Sequence, residues 1–100
     1  MDAQFQIRED LLAVAGELDL NCAEPFRDAL TQLLERATHP QVDMSRVESC
    51  DLSGLQLLRS AVLSGEAQGT PVAVTGGDGV VDEACRRLGS SLEELLQGGR

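Results

Sequence analysis

Asp51, Ser53 and Gly54 fall within one run, Asp51-Leu52-Ser53-Gly54-Leu55, which follows an alternating apolar stretch and opens a leucine-rich helical pattern. A carboxylate, a hydroxyl and a glycine are thereby placed at a helix N-terminus, where unpaired backbone N–H groups and the helix dipole favour negative charge. Anions, phosphoryl groups and acidic switches are stabilised at such a terminus. Helix capping draws on the same residue types. Asp51 can accept N–H bonds from the first turn, and Ser53 with Gln56 fits an S-x-x-Q capping box, worth about 1 kcal/mol. Gly54 costs about 1 kcal/mol relative to Ala inside a helix, and a surface without a side chain, open to close approach by a partner, accounts for it.

The other candidates for chemistry are weaker. Cys50 lies beside the run, but the neighbouring Asp51 disfavours its thiolate, no general base accompanies it, and Arg46 alone does not make an anion site. A buried, inert thiol is expected there, and a Cys50-based enzyme or redox protein ranks last among the functional readings. His39, the one histidine, precedes Pro40 in a turn with nothing placed to complete a triad. Glu17 and Asp19 share a face of an extended segment, yet nothing separates their pKa values as acid–base work requires. Asp19 is expected to begin the turn into the first helix. Gly76-Gly77-Asp78-Gly79 lacks both the GxGxxG spacing and a P-loop lysine, so it reads as a loop.

Composition narrows the function further. The 100 residues carry a formal net charge of −9 and 42% hydrophobic residues, with Phe5 and Phe26 the only aromatics. An acidic chain repels phosphate backbones and anionic headgroups, and one with almost no aromatics cannot stack on bases. Nucleic acid and direct membrane insertion are not expected. Cys22, Cys50 and Cys85 are odd in number and lack metal-site spacing, which suits reduced thiols in a cytoplasm and no metal or cofactor. Neither a basic leader nor a long apolar span is read from the sequence.

One domain over 1–100 is expected. Gln4 to Arg8 and Leu11 to Leu18 read as a hairpin about Glu9-Asp10. Ala23 to Ala37 reads as an amphipathic helix with Pro25 in its first turn, and Gln41 to Val47 as a strand. The second helix carries Leu52, Leu55, Leu58, Ala61 and Val62 toward the core and ends near Gly65 or Gly69. Leu52, at the helix start, is open to a second role: turned outward, it would be an apolar contact for a partner. Pro71 to Thr75 reads as a strand, Val80 to Leu88 as a third helix and Ser91 to Leu96 as a fourth, with Ser91 and Glu94 as a capping box. Gln97 to Arg100 should fray. The order β-β-α-β-α-β-α-α implies an α/β fold with one mixed sheet of about four strands and helices on one face.

Three segments carry a family resemblance. Gly16-Glu17-Leu18-Asp19 resembles a G-E-L-D turn, Asp43-Met44-Ser45 resembles D-L-S, and Asp51-Leu52-Ser53-Gly54-Leu55, eight residues on, resembles D-S-S-G-L. In this order and spacing they are similar to STAS domains, the fold of bacterial anti-sigma-factor antagonists. The resemblance implies a non-enzymatic switch domain, monomeric or weakly dimeric. Its partner would be an anti-sigma factor with serine kinase activity, or another STAS-binding protein. The partner-binding residues it implies are Asp51, Leu52, Ser53, Gly54, Leu55 and Asp19. In the antagonists the first Ser after the Asp is phosphorylated, and here that position is Leu52. Ser53 is the remaining phosphoacceptor candidate. The resemblance also admits a cytoplasmic STAS subunit of a lipid-transport ABC complex, or a chemotaxis or stress-signalling module.

Overall fold

Phe5 and Ile7 alternate with Gln4, Gln6 and Arg8, and this two-residue period puts one face of β1 (Gln4–Arg8) against the interior. β1 pairs antiparallel with β2 (Leu11–Leu18), from Gln4 opposite Ala15 to Arg8 opposite Leu11. In the computed structural model, which describes residues 2–96, β2 buries Leu12, Val14, Gly16 and Leu18 on one face. A short 3-10 turn, Leu20–Cys22, leads into α1 (Ala23–Arg36), which returns the chain to β3 (Gln41–Cys50). Next, α2 (Leu52–Gln68) returns it to β4 (Ala73–Thr75), followed by α3 (Val80–Arg87) and α4 (Leu92–Leu96). The sheet order is β1-β2-β3-β4, with β2, β3 and β4 parallel, as helical crossovers require. The fold is α/β with one mixed four-stranded sheet.

The interior is aliphatic. Leu12, Val14 and Leu18 of β2 and Val42, Met44 and Val47 of β3 meet Phe26, Leu30 and Leu33 of α1, Leu55 and Leu58 of α2, and Val81 of α3. The two phenylalanines stack on each other, ring centroids 5.4 Å apart. Two strand boundaries differ from the sequence reading, and α2 ends at the second of the two glycines expected to stop it. β4 starts at Ala73 rather than Pro71, because proline has no N–H to give a ladder. α2 runs through Gly65 and stops at Gly69, whose positive φ of 80° is a left-handed cap. β3 does not end at Val47 but continues to Cys50, taking in two register shifts against β2. These bulges absorb the polar Ser45, Arg46 and Glu48 while keeping Val47 inward. At α4, Ser91 Oγ accepts the Glu94 N–H at 3.2 Å, one half of the expected capping box, while the Glu94 carboxylate accepts from the Ser90 hydroxyl at 3.3 Å. The expected fraying of Gln97 to Arg100 lies outside the described residues.

Candidate functional site

Because β3 reaches Cys50, no polar turn separates it from α2, and Asp51 is the single linking residue. Asp51 is the N-cap. Its Oδ1 accepts the Gly54 N–H at 3.2 Å and the Ser53 hydroxyl at 2.5 Å. Its Oδ2 accepts the Leu20 N–H at 3.1 Å, and its own N–H donates to the Leu18 carbonyl at 3.1 Å. One carboxylate thus joins the start of α2 to the segment between β2 and α1. Burial works against the charge on Asp51, but the hydrogen bonds from Ser53, Gly54 and Leu20 outweigh it and hold the carboxyl below its ordinary pKa. Asp19 caps the adjoining 3-10 turn, accepting the Asn21 N–H at 3.0 Å.

Asp51, and not Ser53, caps α2. Ser53 occupies the second helical position, so the Ser53–Gln56 capping box does not form. Gly54 also has a different reason from the one its position suggested. It is buried, and a Cβ there would stand 2.9 Å from Leu18 Cγ and 3.2 Å from Cys50 Sγ. The glycine lets α2 sit down on β2 and β3, and its open side faces the core rather than a partner. Leu55, 1% exposed, belongs to that core and supports the site from beneath.

Leu52 is the exception to the expected apolar stripe: it is 51% exposed. The helix period explains this. Each three-residue step falls about 60° short of a full turn, so the two steps from Leu58 to Leu55 to Leu52 swing the side chain off the buried face. Two further leucines stand open nearby in the fold, Leu20 at 72% and Leu88 at 56%. Leu52 and Leu88 line a groove of about 250 Å³ with Cys50, Asp51, Leu55, Ala84 and Arg87, between the start of α2 and the end of α3. Leu20 and Leu88 escaped the sequence reading. The available signal for Leu88 was that it continues the Val81, Ala84, Cys85 spacing just before Gly89, where the helix ends.

The remaining candidates lie elsewhere or are occupied. Cys50 Sγ donates to the Asp51 carbonyl at 3.6 Å, and burial together with the Asp51 charge pushes its thiol up to about 12. His39 is exposed and its N–H donates to Asp10 Oδ2 at 2.9 Å. Asp43 accepts the Ser45 N–H at 2.9 Å and so shapes the first bulge. It pairs with Ala13, five residues or about 16 Å along β2 from the Leu18–Cys50 pair. A larger concavity, about 530 Å³, lies beside Gly76, Gly77 and Asp78, but Asp82 within it already accepts from Leu92 at 2.9 Å and Arg86 at 2.8 Å. Among the described residues, no three His, Cys, Asp or Glu side chains converge as a metal site. No helix among them is long and apolar enough to cross a membrane.

Against this geometry the similarities are consistent. A family model described as "Mlab, STAS domain" matches residues 1–97. An antisigma-factor antagonist STAS domain from Rhodobacter sphaeroides is 25% identical, covering 79% of this chain and 89% of that one, with a TM-score of 0.60. The fold is also shared with a candidate anti-sigma factor antagonist from Thermotoga maritima, 19% identical with a TM-score of 0.66, covering 87% of this chain and 78% of that one. It is shared again with unphosphorylated SpoIIAA, an anti-sigma factor antagonist, 19% identical with a TM-score of 0.58, covering 73% and 71% of the two chains. No curated protein matches significantly.

Proposed function

Since the chain belongs to the STAS domain family, we propose that it is a non-enzymatic, cytoplasmic interaction module of the anti-sigma-factor-antagonist kind, which docks a protein partner at the start of α2. The observation that carries this reading is Leu52, half exposed at the first position of a helix whose start is fastened by Asp51. The exposed half of that leucine contributes nothing to the fold, and its burial against a partner would yield about 0.8–1.5 kcal/mol. Leu52 and Ser53 present the surface, Asp51 and Asp19 fix its shape, and Gly54 and Leu55 seat it on the sheet.

Leu52 cannot be esterified, so a switch at the position where the antagonists carry their phosphorylated serine is lost. Ser53 is the remaining hydroxyl in the run. Its phosphorylation would replace the bond to Asp51 with about −1.5 to −2 of like charge and loosen the cap. A second reading is a STAS subunit of a lipid-transport ABC complex, supported by the match of the Mlab STAS model to nearly the whole chain. A subunit held in a standing assembly needs no phosphoacceptor. Site-specific photo-crosslinking from position 52 in cells tests the docking surface and separates the readings. A kinase-type anti-sigma factor as adduct supports the first and a transporter component the second, whereas crosslinks only from positions on the far side of the sheet would overturn both.

A further inference from the structure

β1 is one edge of the sheet, and it pairs with β2 without a bulge from Gln4 opposite Ala15 to Arg8 opposite Leu11. Among the described residues no strand lies against its outer side, which leaves a row of backbone N–H and C=O groups open to pairing. The opposite edge, β4, is blunted: it has three residues and follows Pro71. β1 has no proline, lysine or bulge to blunt it. Ala3, Phe5 and Ile7 pack toward the core but are only partly buried, so the apolar face is incompletely covered at this edge. Asp2 is bridged to Glu17, which carries the strand line back to it.

The run Asp2-Ala3-Gln4-Phe5-Gln6-Ile7-Arg8 is symmetric in its chemistry about Phe5, with opposite charges at its two ends. Laid antiparallel against a second copy about Phe5, it sets Asp2 opposite the copy's Arg8, Ala3 opposite Ile7 and Gln4 opposite Gln6. Opposed residues differ by an even number of positions, so each side chain meets one on its own face of the sheet. Both charge pairs are attractive, and the two Phe5 side chains meet at the two-fold axis. Moving the axis to Gln6 opposes Arg8 to Gln4 and leaves Asp2 without a partner. A parallel arrangement opposes Asp2 to Asp2 and Arg8 to Arg8, which repels.

We propose that β1 is a self-association edge: two copies of this chain pair antiparallel through residues 2–8 about Phe5, joining their sheets into one. Each copy contributes one short strand and has a net charge of −9, so the dimer is weak and forms at high concentration. No residue of the α2 start takes part, so the pairing is independent of the docking site.

Charge reversal tests the register. Sedimentation velocity of the full chain should show a rising dimer fraction between about 10 μM and about 1 mM. Asp2→Arg opposes cation to cation and Arg8→Asp opposes carboxylate to carboxylate, so each variant alone should associate several-fold more weakly. An equimolar mixture of the two variants places opposite charges at both ends again and should dimerise as well as the unaltered chain. Both residues are exposed, so the melting temperatures should hold. No association at any of these concentrations, association that neither reversal weakens, or a mixture as weak as its components would each overturn the inference.

Discussion

The Asp51 carboxylate accepts the Leu20 N–H across 31 residues of sequence, so the exposed Leu20 and the helix start that bears Leu52 are positioned by one side chain. Asp51→Ala removes the cap and leaves the Leu20 and Gly54 amides without their acceptor. The expected loss is about 1–2 kcal/mol, read by chemical denaturation. Hydrogen exchange should speed at Leu20 and Gly54 well beyond the global effect. Exchange unchanged at both amides would mean that the carboxylate does not hold the two segments together.

Acid should destabilise the fold through a small set of carboxylates. Asp43 is held below its ordinary pKa first by the Ser45 N–H, Asp82 first by the Leu92 N–H, and Asp51 by hydrogen bonds that outweigh its burial. Each has a lower pKa folded than unfolded, so below the ordinary value of about 3.9 the unfolded chain binds more protons. Their contribution is complete above that value and is lost as pH falls through the depressed folded values. Denaturant midpoints should therefore stay level near neutrality and drop below about pH 4. Asp82→Asn should flatten part of that drop, and an unaltered slope would remove Asp82 from the set.

Gly54→Ala sets a gain in helix propensity of about 1 kcal/mol against an overpacking cost of about 1–3 kcal/mol, because Leu18 is buried and cannot give way. A net loss is expected, lowering the melting temperature by several degrees in a domain of this size. A rise in melting temperature would show that α2 does not rest this closely on β2.

Cys50 should resist alkylation in the native state, its thiol pushed up to about 12 by burial and the Asp51 charge. Mass spectrometry after brief iodoacetamide treatment should find Cys50 unlabelled in buffer and labelled in denaturant. Rapid native labelling would reopen redox or nucleophilic chemistry at this residue.

The hairpin, the aliphatic stripes and the strand–helix alternation were legible because burial imposes periods of two and 3.6 on the residues that form them. Leu12, Val14 and Leu18, or Leu55, Leu58 and Val62, declare their faces by spacing alone. The end of β3 was not legible, since two bulges break the alternation over Ser45 to Ser49 and the polar residues there imitate a turn. Leu52 was ambiguous because three-residue spacing looks regular while drifting off the buried face. The reason for Gly54 was hidden as well: its neighbours Leu18 and Cys50 come from two other elements, and only the packed structure brings them to the same helix start.

The central claim rests on Leu52 as a binding contact that the fold does not need. Once crosslinking from position 52 has identified the partner, its affinity for the unaltered chain and for Leu52→Ser is measured by calorimetry, alongside both melting temperatures. Burial of the exposed half of Leu52 is worth about 0.8–1.5 kcal/mol, so its loss corresponds to roughly 4- to 13-fold weaker binding, and the melting temperature should change little because Leu52 is half exposed. Undiminished affinity in a folded Leu52→Ser protein would contradict docking at the start of α2.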